Sequence, residues 1–535
     1  MRIKKLSFIL SVGMTTATIA SLSQERVAFA DQVINWTESA ALTTMSPSQA
    51  NDSTGSEIVT QTGQGLYRYG KNNQPQLADA KSVDISKDGR EYVFHLKDDL
   101  KWSNHEKVTA NDYVFGMQQT VDPKNKSNGA TLANNIKNAT AVTNGEKAAD
   151  DLGVKALDSQ TLKITLNNPD PAFKSILTGT AFYPQPKKFV TKVGKAYGTS
   201  SDKTLSNGPF ILKNWHGSDK SYQLVKNSQY EDKKNVATNK INIQTVTDNT
   251  TGYNLYKAGK SDYTPLTADQ VRANENNRAY HSIKNGRTDF LGLNMKNKYL
   301  QNKDVRVAIK QAINTKGLTN KVLKGIQRSG NAFTPENTIK NPDNQRDFSK
   351  EANSKKYAFN KKDAKKSLAA SETKKIKLTL LADNDDQSKI EAQYVQNQLQ
   401  KNLPGVELTV KFQPKAARVK AQLSHDFDIV LTSWGGEYAD PMSFLNMVQS
   451  DSGINIAQFN DKEYDAALAR ANGNDVNKPS KRYQDLLQAE QRIHSELPVV
   501  TLGHQSTPSL VRPNVKGLLV NTYGATFDFK EAYKK

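Results

Sequence analysis

The sequence predicts an α/β protein with more than one domain, and three observations support this prediction. The chain has 535 residues, more than one hydrophobic core usually serves, so two or three domains are expected. Hydrophobic residues make up 36% of the chain and aromatic residues 8%, enough for a globular fold. Between residues 375 and 434, strand-like and helix-like segments alternate, a pattern typical of parallel strands joined by right-handed helical crossovers.

The segment 375–434 has the clearest pattern. Its predicted strands are KIKLTLL (375–381), VELTVKF (406–412) and FDIVLT (427–432). Its predicted helices are SKIEAQYVQNQLQKNL (388–403), with Ile390, Tyr394, Val395 and Leu399 on one face, and KAARVKAQLSHD (415–426). In open parallel sheets, ligands bind beyond the carboxyl ends of the strands. SWGGEY (433–438) follows the third strand, so it is predicted to lie at a binding site.

Further elements are predicted on either side of this segment. Period-2 alternation predicts strands at EYVFHL (91–96), TLKITL (161–166), YQLVKN (222–227) and KINIQTV (240–246). A helix is predicted to open at Asp304, with Val305, Ala308, Ile309, Ala312 and Ile313 on one face. The acids of 383–386 are predicted to cap the helix that follows them. The Asn/Lys-rich segment 340–375 is predicted to be an exposed connection.

Residues 1–30 have the pattern of a secretory signal peptide. Arg2, Lys4 and Lys5 precede an apolar stretch, and Ala28-Phe29-Ala30 supplies a cleavage site, so cleavage after Ala30 is predicted. The alternative, a transmembrane anchor, fits less well because threonines and serines dilute the apolar stretch. The prediction is therefore an exported, extracytoplasmic protein.

Cysteine content and charge narrow the possible partners. The chain contains no cysteine, which excludes disulfides, thiolate metal sites and a lipid-modified cysteine anchor. Its net charge is +20, and removal of residues 1–30 takes away four basic residues and one acid, which leaves +17. For an exported protein this charge favours anionic cell-wall polymers or lipid head groups over nucleic acid. The lysines are scattered, however, as on an ordinary solvated surface.

The sequence lacks complete catalytic or metal-binding motifs of three classes. The seven histidines show no pair at the spacing of helical zinc ligands. A calcium loop beginning at 383 lacks its glycine and its final glutamate, since Ser388 and Tyr394 occupy those positions. Ser371 and Lys374 match S-x-x-K without the KTG that accompanies it in penicillin-binding proteins. The prediction is a binding protein that is not an enzyme and uses no cofactor or metal.

Five stretches resemble, in order, the solute-binding proteins of ABC importers, specifically the large family that carries oligopeptides. They are the segment 84–123 with its Lys101-Trp102-Ser103 and Asp122-Pro123, SNGPFILKNW (206–215), YKAGKSDY (256–263), DVRVAIKQAIN (304–314) and SWGGEYADPMSFLN (433–446). This sequence departs from the family pattern at Asn104-His105, where Asp-Gly is usual, and at Glu231, where Trp is usual. The first departure puts the local turn in doubt.

The resemblance implies a two-lobed, periplasmic-binding-protein-like (type II) fold with an extra domain in the N-terminal half. Its first lobe would be discontinuous, and two segments would cross between the lobes. The implied ranges are 31–63, 187–288 and 506–535 for the first lobe, 64–186 for the extra domain and 289–505 for the second lobe. The implied protein is a monomer that delivers oligopeptides to an ABC permease complex.

The resemblance also implies how a peptide is held, namely as an added strand between the lobes. Ser433 and Gly435 would bind its backbone from the second lobe, and Asn51, Asp52 and Ser53 from the first. Glycine would let the ligand backbone approach closely. Glu437 would receive the α-ammonium, and Trp434 and Tyr438 would form pocket walls. No basic residue stands out for the peptide's carboxylate.

Two other functions remain open at this point. The same fold also carries non-peptide solutes such as nickel complexes, haem, pheromones or sugars, although the acid before Tyr438 favours peptides. A basic, unlipidated surface protein could instead be an adhesin for wall polymers or host glycans.

Overall fold

The computed structural model describes residues 33–50 and 52–535. The predicted signal peptide and Asn51 therefore lie outside the described residues. Within these ranges the strands form three larger sheets, of four, seven and four strands, and three two-stranded ribbons. None of the helices described here is long and apolar enough to cross a membrane.

The first sheet belongs to the segments predicted to form the first lobe. Its strands are, in spatial order, Ile34–Glu38, Lys240–Thr245, Ser221–Lys226 and Phe210–Lys213. The first two strands are parallel and the others antiparallel. Trp36 is fully buried on this sheet and stacks on Tyr263, with ring centroids 4.3 Å apart. The strands predicted at 222–227 and 240–246 are confirmed.

The second sheet lies in the segment predicted as the extra domain. Its antiparallel strands are, in spatial order, Ala80–Ile85, Glu91–Leu96, Thr161–Thr165 and Val154–Ala156. Burial alternates along Glu91–Leu96 as its sequence predicts, with Tyr92, Phe94 and Leu96 inward. Helix Ala110–Val121 packs on this sheet.

The seven-stranded sheet lies mostly in the segment predicted as the second lobe, 289–505. Six of its strands lie in the order Tyr263–Pro265, Val499–Val511, Tyr280–Leu293, Ile429–Gly435, Ile376–Asp383 and Val406–Gln413, and Gln327–Arg328 pairs with Val499–Val511. The strands at 376, 406 and 429 are parallel, with helices Asp386–Asn402 and Lys415–Leu423 between them in sequence. The predicted β-α-β-α-β unit is confirmed.

Two details of this unit differ from the prediction. The third strand ends at Gly435, so Ser433 and Trp434 belong to the strand. Ile390 is 45% exposed, because the buried face of its helix runs through Ala392, Val395 and Leu399, and Ile390 lies off that face. The predicted cap is confirmed: Asp385 accepts a hydrogen bond from the N–H of Ser388 (3.0 Å).

Two long strands connect the lobes. Tyr280–Leu293 and Val499–Val511 pair along their length, with a register shift between Lys284 and Thr288. The predicted lobe boundaries, 288/289 and 505/506, fall inside these strands, which therefore have the course expected of the crossing segments. The boundaries themselves stay a prediction.

The other elements complete the described chain. The remaining α-helices are Ser53–Thr62, Ala139–Thr143, Phe173–Ile176, Lys187–Val193, Asn249–Lys257, Ala268–Asn274, Lys303–Ala312, Thr315–Gly317, Phe348–Ala352, Lys361–Ala370, Met442–Leu445, Lys462–Asn472 and Pro479–Glu496. The ribbons pair Tyr67–Tyr69 with Pro75–Leu77, Val515–Lys516 with Tyr533–Lys534, and Leu519–Val520 with Phe527–Asp528. The helix predicted at Asp304 begins at Lys303 and is capped by Asn302, which accepts from the N–H of Asp304 (2.8 Å).

Candidate ligand-binding cleft

One edge of strand Ile429–Gly435 is open towards the cleft. On one side the strand pairs with Tyr280–Leu293 along its whole length, so that Gly435 lies opposite Arg287. On the other side, strand Ile376–Asp383 pairs only with Ile429 and Val430. From Leu431 onwards, no strand of the described chain covers this second edge.

The hydrogen-bond alternation identifies which residues face the open edge. The N–H of Gly436 donates to Gly286 O (2.8 Å), and the N–H of Asn294 donates to Asp428 O (3.0 Å). In an antiparallel pair only every second residue directs its main-chain groups at the partner strand. Here these are the even-numbered residues of 428–436. The main-chain groups of Ser433 and Gly435 therefore point to the open side.

Two neighbouring cavities lie at the C-terminal end of this strand. The larger, of about 530 Å³, is lined by Glu38, Ser53 and Glu57 from the first lobe and by Gly435 and Arg287 across from them. The smaller, of about 260 Å³, is lined by Glu437. Its other walls come from five parts of the chain, at 47–60, 68–69, 127–132, 178–183 and 521–528. Both cavities contact Gly524, so they adjoin at the end of the strand.

Glu437 brings an unpaired negative charge to the smaller cavity. Its main-chain N–H donates to Ser443 Oγ (2.9 Å), which fixes the backbone at this position. Its side chain is exposed to the cavity, and its carboxylate forms no ion pair within residues 33–50 and 52–535. Partial burial raises the pKa of Glu437 above its ordinary value. The carboxylate is therefore available to a cationic group of a ligand.

The two glycines after Trp434 accommodate protein side chains. A Cβ on Gly435 would lie 2.9 Å from Nη2 of Arg287, and a Cβ on Gly436 would lie 2.5 Å from the ring of Phe444. The sequence predicted that glycine makes room for a ligand backbone. In the structure, the room is taken by these two side chains.

Trp434 and Tyr438 are packing residues in this structure. Trp434 Nε1 donates to Ser443 O (2.7 Å), and its ring packs against the second-lobe core. Tyr438 packs against the core of the extra domain, and burial raises the pKa of its hydroxyl. Strand alternation places Trp434 on the face opposite Ser433 and Gly435. Neither ring lines the two cavities described above, so their role as pocket walls stays a prediction without support from this geometry.

Of the residues predicted to contact the peptide from the first lobe, Ser53 lies in the cleft and Asp52 has a structural role. Ser53 lines the larger cavity. Asp52 caps helix Ser53–Thr62, where its carboxylate accepts hydrogen bonds from Gly55 N–H (2.8 Å) and the Thr43 hydroxyl (2.7 Å). Its side chain is therefore committed to the fold. Asn51 lies outside the described residues.

Residues 73–455 match the model of the family described as bacterial extracellular solute-binding proteins, family 5 middle. The chain belongs to this family. A dipeptide-binding protein of Lactococcus lactis is 35% identical over 498 residues, which cover 90% of this chain and 90% of that protein. As a member of family 5, the chain has the two-lobed α/β fold of substrate-binding transport proteins.

Solved structures of similar solute-binding proteins cover nearly the whole chain. Listeria monocytogenes OppA bound to peptide is 34% identical and has a TM-score of 0.75, covering 94% of this chain and 99% of that one. The unliganded open form of the murein tripeptide-binding protein MppA is only 26% identical but has a TM-score of 0.82, covering 94% and 97%.

Three cleft residues of this family 5 protein were missed by the sequence analysis. Glu57 accepts hydrogen bonds from the N–H groups of Thr526 (2.8 Å) and Phe527 (2.7 Å), which ties the C-terminal segment to the cleft floor. Glu38 lies in the same cavity, and burial raises the pKa of both acids. Arg287 enters the cavity from the crossing strand. Their proximity depends on contacts across more than 200 residues, so no local signal in the sequence reveals it.

Proposed function

We propose that this family 5 solute-binding protein captures peptides between its lobes and delivers them to an ABC importer. The observation that carries the proposal is the open strand edge at Ser433 and Gly435, followed two residues later by the unpaired carboxylate of Glu437. An open edge presents main-chain hydrogen-bond donors and acceptors at the regular spacing of a β-strand. An extended peptide has main-chain groups at the same spacing, and most other solutes do not.

The peptide would bind as an added strand. Its N-terminal ammonium would lie at Glu437, and its backbone would run along the edge past Gly435 towards Ser433. A buried ammonium needs an anionic acceptor, because unpaired burial of a charge is costly. Backbone pairing makes affinity largely independent of side chains, and water in the cavities would adapt to different ones. Ser53, on the facing wall, would contact the peptide from the first lobe.

The relatives support peptides as the ligand class. The Lactococcus lactis relative is named for dipeptides, and the Listeria monocytogenes structure contains a peptide. For localisation, we infer an exported monomer that is held at the cell surface by its positive charge rather than by a lipid on cysteine. The sequence supports this with +17 after residues 1–30 and with no cysteine.

Mass spectrometry of the purified, denatured protein tests the proposed function. Co-purified peptides of several sequences are expected, because backbone pairing selects length more than side chains. The same protein, stripped of ligand and refolded, should bind an added peptide in calorimetry. An empty cleft together with salt-sensitive binding to wall polymers or glycans would favour the adhesin instead. A single non-peptide solute in the spectrum would favour another cargo on the same fold.

A further inference from the structure

The guanidinium of Arg287 lies in the cleft, and its hydrogen-bond partner there is a neutral hydroxyl. Its Nη1 donates to Ser433 Oγ (3.0 Å), and it forms no ion pair with any residue of the described chain. Its side chain is exposed and lines the larger cavity. The guanidinium is thus fixed in position while its charge remains unpaired.

The position of Arg287 depends on its strand partner. Arg287 faces Gly435 in a pair that does not exchange main-chain hydrogen bonds, the type in which facing residues are closest, about 4.5 Å between Cα atoms. Because Gly435 has no Cβ, the guanidinium can lie against the strand, where a Cβ would be 2.9 Å from Nη2. The charge therefore lies over the face of the strand at Ser433 and Gly435.

No other charged group near the cavity forms an ion pair with Arg287 in the described residues, although the positive charge of Arg287 offsets part of the burial-driven rise in the pKa of Asp289. Asp289 lies on the same face of the strand, but it is buried and accepts hydrogen bonds from Gln327 (2.5 Å) and Gln505 (2.7 Å). Glu57 is engaged by two main-chain N–H groups. Glu38 lies on the first-lobe wall and forms no ion pair with the described residues.

We propose that Arg287 binds a carboxylate of a short peptide whose ammonium lies at Glu437, an inference that rests on the peptide function proposed above. Arg287 lies opposite Gly435, Glu437 follows two residues later, and the cavities that the two side chains line adjoin at Gly524. A short peptide that spans both cavities would place its ammonium at one side chain and a carboxylate at the other. Guanidinium and carboxylate form charge-assisted, often bidentate hydrogen bonds. The carboxylate can be the C-terminus of the peptide or an acidic side chain.

Calorimetry with three dipeptides tests this assignment: Leu-Ala, Leu-Ala amide and Leu-Glu amide. Wild type is expected to bind Leu-Ala about 10- to 100-fold more tightly than Leu-Ala amide, the range for hydrogen bonds to charged groups. Arg287→Gln should abolish this preference and leave the affinity for the amide unchanged, and Arg287→Lys should restore part of it. The matched control is Arg278→Gln, which removes an equal charge from an exposed residue that lines a different cavity.

The three peptides separate the two sources of carboxylate. Loss of affinity for Leu-Ala identifies the C-terminus as the group bound by Arg287, and loss for Leu-Glu amide identifies an acidic side chain. If Arg287→Gln lowers the affinities for Leu-Ala and for Leu-Ala amide equally, the assignment is overturned. Arg287 would then affect binding without contacting the carboxylate of the ligand, for example by pairing with Glu38. Wild type that binds an octapeptide but not Leu-Ala would overturn this inference alone. Wild type that binds no peptide would overturn the proposed function as well.

Discussion

The carboxylate of Asp440 accepts two hydrogen bonds from the guanidinium of Arg482, each 2.9 Å long. Both side chains are buried. Asp440 also accepts from the N–H of Met442 (3.0 Å), so it joins the loop after Glu437 to helix Pro479–Glu496. The Asp-Pro of the sequence motif is therefore a structural anchor for the segment that carries the proposed ammonium acceptor.

Asp440→Asn is expected to destabilise the protein by about 3–5 kcal/mol, because it leaves the Arg482 guanidinium buried without its counter-charge. Urea unfolding monitored by fluorescence measures the change. The matched control is Glu407→Gln, which breaks the exposed pair between Lys377 and Glu407 (3.2 Å) and should cost less than about 1 kcal/mol. Equal, small losses for both variants would show that Asp440 does not anchor the loop.

Glu437→Gln is expected to weaken binding of peptides with a free N-terminus and to leave N-acetylated peptides nearly unaffected. The glutamine keeps the shape but not the charge, and loss of one partner of a desolvated charge pair costs about 2–5 kcal/mol. This corresponds to roughly 30- to several thousand-fold in affinity. Calorimetry on the four combinations of protein and peptide measures the coupling.

The control for this cycle is Asp386→Asn, which removes one negative charge from an exposed position of the second lobe. Both affinities should then stay as in wild type. If free and acetylated peptides lose affinity equally on Glu437→Gln, then Glu437 does not bind the amine.

Peptide affinity is expected to fall with decreasing pH through the pKa of Glu437. The ionised carboxylate binds the ammonium, so affinity is full above this pKa and is lost as protonation neutralises the group. Because partial burial raises the pKa, the decline begins at a higher pH than for an ordinary glutamate. Glu38 and Glu57 in the adjoining cavity also have raised pKa values, so the relevant quantity is the difference between wild type and Glu437→Gln. The same pH profile in both proteins would exclude Glu437 as the titrating group.

Local pattern was sufficient to predict several elements of this fold. Alternation of apolar and polar residues predicted the strand Glu91–Leu96. The acids at the end of strand Ile376–Asp383 and just after it predicted the helix cap at Asp385. The turn at Asn104-His105 forms without the family's glycine, because His105 adopts the left-handed conformation at φ 73°. Asn104 supports it by accepting from the N–H of Glu106 (3.1 Å).

Sequence pattern did not predict the surroundings of residues that contact distant segments of the chain. The contact between Arg287 and Ser433 joins residues 146 positions apart, so the sequence around either residue gives no sign of a cation at the open edge. The resemblance implied that Trp434 forms a pocket wall, whereas the strand continues through this residue and its ring packs against the core. The polar segment 340–375 contains helices Phe348–Ala352 and Lys361–Ala370, held by a few buried residues such as Phe348 and Leu368.

Molar salt is expected to release the mature protein from intact cells. The proposed retention rests on a charge of +17 against anionic polymers, and exposed ionic contacts weaken as salt screens them. Immunoblots of the wash fractions at rising salt concentration measure the release. Protein that resists salt and leaves the cells only with detergent would contradict retention by charge.

Peptide binding is expected to bring the lobes together. A peptide on the open edge of strand Ile429–Gly435 that also contacts Ser53 on the facing wall would bridge both lobes, and the two register shifts in Tyr280–Leu293 supply irregular points for a hinge. Small-angle scattering should therefore give a smaller radius of gyration for the protein with saturating peptide than for the protein stripped of ligand.

The control is N-acetylated peptide at the same concentration, which should leave most of the protein in the open state. An unchanged radius with calorimetrically proven binding would mean that the peptide is held by the second lobe alone.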